Sequence, residues 1–230
     1  MRVLLIVALI TAPTLAAQNR GAAPTAKAAA TADLTGYWVS LITEDWRFRM
    51  ITPRKGDYQA VPMTDQARKI ADAWDPAADE AAGNQCKAYG AGALMRMAAR
   101  FHITWQDDNT LRVDSDAGTQ SRLFHFTSSP AGERTWQGNS AAQWQRPDSL
   151  KVVTTNLRAG YLRKNGVPYS ENAVVTEYFD LAPLPGGGQA LLVTTIVDDP
   201  QFLRQTFIVS SQFKKEADGS KWDPTPCTAK

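Results

Sequence analysis

The chain has 230 residues, with 25 Lys and Arg against 23 Asp and Glu, two His and two Cys. Such a near-neutral chain of mixed sign gives no electrostatic reason to bind nucleic acid or an anionic membrane. The chain also has no C-x-x-C pair, no G-x-S-x-G elbow, no Walker loop and no complete G-x-G-x-x-G. A zinc site of the usual type and the common nucleotide and hydrolase motifs are therefore not expected, and neither is a cofactor.

Met1-Arg2 is a short basic start, and "VLLIVALITAPTL" is an apolar run broken by Pro13 and followed by the small residues Ala16-Ala17. This pattern reads as a signal peptide over residues 1–17, cleaved on export to the periplasm or beyond the cell. The run is shorter than the roughly 20 residues a spanning helix needs, so no membrane insertion is expected after cleavage. Residues 18–32, "QNRGAAPTAKAAATA", have no apolar periodicity and read as a disordered leader. Residues 33–230 suit one barrel-sized domain.

"DLTGYWVSLITEDWRFRM" opens that domain as a strand carrying apolar residues on both faces, followed by a second extended run, "WRFRMITPRKGDY". A helix is expected near residues 64–74: Thr64 can cap it, Ala67, Ile70, Ala71 and Trp74 share a face, and Pro76 ends it. After Leu94 the pattern turns to short strands. "MAARFHITW", "LRVDSD" and "TQSRLFHF" are followed by "SLKVVTTNL", "AVVTEYFDL", "QALLVTTIV" and "RQTFIVSSQF". The expected fold is mainly β, an antiparallel meander closed or partly closed into a barrel, because "ALLVTTIV" lacks the polar outer face of a sandwich strand.

Gly36-Tyr37-Trp38 is a G-x-W on the first strand, and here the chain resembles the lipocalin-like (calycin) barrels. That resemblance implies a Trp packed over the closed end of the barrel. "DLTGYW", "EDWRFRM", "HITWQDDNTLR" and "GYLRKNGVPYSENAV" also resemble an exported bacterial family without an assigned activity. The early helix departs from ordinary lipocalins.

In an exported protein Cys86 and Cys227 read first as a disulfide, tying the tail "WDPTPCTAK" to the segment after the first helix. A nucleophilic cysteine is the competing reading. It would need an activating base, and the chain has only two histidines.

The richest candidate face lies between Phe101 and Phe126. Phe101, Ile103 and Trp105 share one side, so His102 and Thr104 take the other. Matching Leu111 and Val113 to the apolar side makes paired residue numbers sum to 216 or 218. His102 then faces Asp114 or Asp116, with Cβ atoms about 4.5–5.5 Å apart. The next turn permits Asp116 opposite Gln120 and Asp114 opposite Arg122, which would gather these groups on one face. That face is either the wet wall of the meander or, with Phe124 and Phe126 continuing it, the polar floor of a cavity.

The loop "RAGYLRKNGVPYSENAV" adds Tyr161, Arg163 and Tyr169, and is long enough for a lid, although a surface hairpin turning at "KNG" explains it too.

Two functions follow. One is an exported barrel binding a small, partly apolar ligand, with Trp105, Gln120, Phe124, Asn156 and Arg163 as contacts. The other is a cofactor-independent lyase, isomerase or hydratase inside the barrel. There His102 moves protons, Asp114 or Asp116 orients it, Arg122 steadies an oxyanion, and Tyr161 or Tyr169 supplies a second acid.

Overall fold

The computed structural model describes residues 23–145 and 148–230. The signal-peptide reading of residues 1–17 lies outside the described residues. Among the described residues eleven strands form: β1 (Gly36–Leu41), β2 (Arg100–Asp107), β3 (Thr110–Ser115), β4 (Gln120–His125), β5 (Asn139–Gln145), β6 (Ser149–Thr155), β7 (Gly160–Arg163), β8 (Val167–Tyr169), β9 (Val174–Pro183), β10 (Gln189–Asp198) and β11 (Phe207–Glu216). Nine of them close a barrel in the order β1-β11-β10-β9-β6-β5-β4-β3-β2, while β7 and β8 form a separate hairpin. Every barrel pairing is antiparallel except the short β4–β5 contact, Phe124 beside Ser140 and His125 beside Ala141. The expected closed, mainly β fold is present, as nine strands with one parallel pair.

Closure gives every strand an inside and an outside. Phe101, Ile103, Leu111, Val113, Val152, Phe179, Val193 and Phe213 point inward and form one buried cluster with Trp38. The indole of Trp38 donates to the Leu34 carbonyl at 2.9 Å, and the Lys215 ammonium lies 5.3 Å over its ring. Trp105, Phe126 and Trp144 stack at one end of the barrel, with centroid separations of 5.5 to 6.5 Å. There Trp144 donates to the Ala26 carbonyl, and Ala26 and Lys27 donate to the β2–β3 turn. The described part of the Ala-rich leader thus lies hydrogen-bonded against the barrel, where its sequence suggested only a disordered approach.

The opposite end is covered by chain. The expected helix is α2 (Asp65–Asp72), capped by Thr64, which accepts from Ala67 N at 3.2 Å. Pro76 does not merely stop it. It occupies the first turn of α3 (Pro76–Ala81), where its missing N–H costs nothing, and Asp75 accepts from Ala77 N and Ala78 N. The run after β1 is not a second extended segment: Asp45 turns left-handed (φ 51°) and Trp46–Arg49 form a single helical turn, α1. The β7–β8 hairpin does turn at Lys164-Asn165-Gly166, but it is buried rather than superficial. Leu162, Val167 and Tyr169 join α2, Tyr58, Val61, Val175, Val197, Phe202 and Phe207 in a second apolar cluster. Gly166 has φ 83°, and a Cβ there would lie 2.3 Å from Trp74 Cβ, so this turn tolerates no side chain.

Between the two clusters lies a polar layer inside the barrel. Arg122 of β4 forks onto Glu177 of β9, Nη1 to Oε1 at 3.1 Å and Nη2 to Oε2 at 2.5 Å, and both side chains are fully buried. Arg122 also donates to Thr154 Oγ1, which shares a hydrogen bond with Ser140 Oγ at 2.8 Å. Such a pair is costly to desolvate and tolerates loss of one partner badly.

The disulfide forms as expected, joining Cys86 to Cys227 across a sequence separation of 141. Replacing both cysteines by Ala is expected to remove about 4–5 kcal/mol on the chain-entropy model, measured by urea unfolding under oxidising conditions. Glu177→Gln should lower stability by about 3–5 kcal/mol, because it strands the Arg122 charge. Arg122→Met with Glu177→Leu should recover most of that loss. Equal urea midpoints for Glu177→Gln and the native chain would refute this account.

Candidate functional site

His102 does pair with Asp114, in the register summing to 216, but on the outer wall. Phe101 and Ile103 fill the interior, so alternation sends His102 outward, where its ring stacks flat on Tyr37 at 4.0 Å and meets Trp222 edge-on at 6.3 Å. Asp114 is held by its own wall: both its oxygens accept from Arg112 Nε, at 2.9 and 2.8 Å, and Ser121 Oγ donates to it. Burial works to raise its carboxyl, but the hydrogen bonds from Arg112 and Ser121 outweigh that and hold it below the usual range. Asp116 lies just past the end of β3, although its N–H still donates to the Arg100 carbonyl at 3.1 Å. Its carboxylate accepts from Arg100 N at 2.8 Å, and burial holds it above the usual carboxylate range.

The departure of Asp116 shifts the next strand by one residue. Ser115, not Asp116, pairs with Gln120, and Val113 faces Arg122. A one-residue slip turns a whole strand over. Gln120, Arg122 and Phe124 therefore point into the barrel, away from His102, and the expected face of His, Asp, Gln and Arg does not assemble. The proposed dyad enclosed within the barrel is corrected accordingly: His102 and Asp114 are neighbours on the outside, while Arg122 is committed to Glu177 within.

The remaining candidates divide between packing and cleft. Gln120 donates to the Gly118 carbonyl at 2.6 Å and accepts from Gln137 beside the disulfide. Trp105 belongs to the aromatic end of the barrel, and Phe124 to the core under the Arg122 guanidinium, 4.9 Å away. Asn156 sits at φ 55° and holds the Gly132 carbonyl at 3.0 Å. Tyr161 donates to Asp79 at 2.7 Å, while Lys87 takes the other Asp79 oxygen. Burial, aided by Asp79, pushes the Tyr161 phenol up. Tyr169 is wholly buried, its hydroxyl without a protein partner, and burial raises its phenol as well. Neither tyrosine reaches His102 or is poised as an acid for it.

Arg163 is different. It stands at the covered end with Arg49, from the close of α1, and Arg96, from the short 3-10 turn Leu94–Arg96. All three line one small cavity of about 40 Å³ with Phe48, Ile51, Met97, Leu162 and Lys164. They are 8%, 6% and 4% exposed at Arg49, Arg96 and Arg163. Their bonds are few. Arg49 Nε donates to the Arg96 carbonyl, Arg96 Nη2 to Asp45 at 3.1 Å, and Arg163 Nη1 to the Gln59 carbonyl at 2.8 Å. Arg49 Nη2 and the Nε and Nη2 of Arg163 are buried without a protein partner. The Arg163 guanidinium lies 4.2 Å over the Phe48 ring. Burial pushes Arg163 down to about 10, with the nearby Arg96 charge adding to it, and lowers Arg49 by the same two causes.

This cavity adjoins a cleft of about 340 Å³ that shares Arg49, Ile51, Met97 and Lys164 and continues past Met50, Tyr89 and Ala98 to Lys230. A second cleft of about 420 Å³, lined by Val39, Ile42, Met50 and Ala98, lies on the other side of Met50. Trp46, Met50 and Ile51 are each 63% exposed on the α1 segment above them. Among the described residues no group of three or more His, Cys, Asp or Glu is placed to hold a metal ion, and no helix is long and apolar enough to cross a membrane.

The sequence matches no protein-family model and no curated protein. Of the residues lining the small cavity, the sequence reading named Arg163 as a ligand contact and did not name Arg49, Arg96, Phe48, Ile51 or Met97. A signal existed for Arg96, a lone charge in the apolar run "GALMRMAA".

Because the folded Asp114 carboxyl lies below its unfolded value of about 3.9, its stabilising contribution is complete above that pH and is lost as pH falls through the lower folded value. Asp114→Asn should therefore cost about 1 kcal/mol at pH 6, and the deficit should close near pH 2. Urea midpoints at the two pH values check this.

Proposed function

We propose that this chain is an extracytoplasmic binding barrel for a small, partly apolar ligand, taken up at its covered end beside α1 rather than in its interior. The filled interior supports this location: aromatic and aliphatic side chains and the Arg122–Glu177 layer occupy the space where a lipocalin-like barrel would hold its ligand. The single observation that carries the reading is the cleft under Met50 and Ile51. It is in the size range of small-molecule sites and joins apolar walls to a few convergent polar groups. The disulfide fits an oxidising compartment. An acid–base role for His102 has no comparable support, since its ring is spent on Tyr37 and faces outward.

The neutral fluorophore N-phenyl-1-naphthylamine tests the site. The folded chain is expected to take it up saturably at one site, with enhanced emission. Ile51→Asp should weaken uptake at least tenfold while leaving the unfolding midpoint nearly in place, since Ile51 is 63% exposed and belongs to neither buried cluster. Absence of saturable uptake, or uptake indifferent to Ile51→Asp, would refute the site.

A further inference from the structure

We infer that Arg49, Arg96 and Arg163 seat a carboxylate headgroup, so that the ligand of the adjoining cleft is an amphipathic anion with its charge inward and its apolar tail along Ile51, Met97 and Met50. This rests on the cleft reading above and specifies its ligand. The first support is charge left over in a buried place. Three guanidinium groups, each more than nine-tenths buried, surround one small cavity, and the carboxylate that touches them is Asp45, bonded to Arg96 alone. Glu44 and Asp57 act only at longer range, and Asp57 is already bonded to Arg47. Taking an ion out of water costs several kcal/mol unless an opposite charge offsets it. Among the described residues no carboxylate does so for Arg163 by direct contact.

The second support is directional. Buried N–H groups are almost always hydrogen-bonded, and three in this cluster have no partner among the described residues: Arg49 Nη2, Arg163 Nε and Arg163 Nη2. Nε and one Nη of a single guanidinium form the fork that matches the two oxygens of a carboxylate. Arg163 spends its other Nη on Gln59 and keeps that fork free. A volume of about 40 Å³ suits a group of a few non-hydrogen atoms and excludes a tail. The tail must leave through the shared wall of Arg49, Ile51 and Met97 into the larger cleft.

The third support is what could move. α1 is one helical turn entered through the left-handed Asp45, and it carries Phe48 and Arg49 on its inner side with Trp46 outside. Arg163, by contrast, is fixed by the hairpin: Asn165 Nδ2 holds the carbonyls of Arg54 and Asp57 at 3.1 and 2.9 Å. A headgroup entering from the cleft meets a rigid fork on one side and a short, displaceable turn on the other.

The experiment displaces N-phenyl-1-naphthylamine with decanoate, decanol, decyl phosphate and inorganic phosphate, on the native chain and on Arg163→Gln and Arg49→Gln. Decanoate is expected to compete at least tenfold better than decanol on the native chain, and in either variant the ratio of the two should fall to about one. Decyl phosphate should fall behind decanoate, because its bulkier four-oxygen head crowds a cavity of about 40 Å³. Should a variant fail to fold, the ratio of decanoate to decanol on the native chain decides alone. Decanol equal to decanoate would overturn the carboxylate seat and leave the apolar site standing. Decyl phosphate surpassing decanoate would overturn the choice of headgroup, and displacement by inorganic phosphate alone would overturn the required tail. A probe that never binds would instead refute the cleft reading itself.

Discussion

Closure of the sheet is the constraint on which everything else depends. Once β1 pairs with both β2 and β11, no strand edge of the barrel is left open there, and each strand has one wall facing in and one facing out. Parity then decides chemistry. A charged residue at an inward position needs a partner of opposite charge, and a residue at an outward one is free to be charged. Arg122 and Glu177 are inward by parity and can exist there only as a hydrogen-bonded pair. His102 and Asp114 are outward by the same rule, and they are braced by surface neighbours, Tyr37 and Arg112.

Much of this was legible in the residues, and the illegible part has a definable cause. Most strands after Leu94, the capped α2, the cysteine pairing and a carboxylate opposite His102, either Asp114 or Asp116, followed from alternation, capping chemistry and turn signals. The face of β4 did not, because a turn's length cannot be counted until one knows where the strand before it ends. Asp116 looked like a strand residue. It serves instead as a backbone cap for Arg100, and its removal from the ladder exchanged the walls of Gln120, Arg122 and Phe124. β5 was hidden by a stretch of small and polar residues whose strand character comes from its neighbours, not its composition.

The candidate cleft was harder to read for a related reason. Its parts come from three distant places: the turn after β1, the 3-10 turn before β2, and the end of β7. None carries a local motif. What marks them is a physical inconsistency, positive charge placed among Met, Leu and Ala with too few acids in contact. Arg122 meets a bidentate carboxylate and a hydroxyl, with its Nε alone lacking a partner among the described residues. Arg163 has a carbonyl and an aromatic face in their place. The difference between two arginines in one chain points to the cleft more directly than any resemblance does.

The Cys86–Cys227 bond has a practical corollary. It pins the last few residues beside Tyr89, where the Thr228 amide donates to the Tyr89 hydroxyl, and brings Lys230 to the rim of the cleft. Anything fused after that lysine, whether an affinity handle, a fluorescent protein or a resin linker, would hang across the entrance. Attachment through the opposite, aromatic end of the barrel would leave the doorway clear.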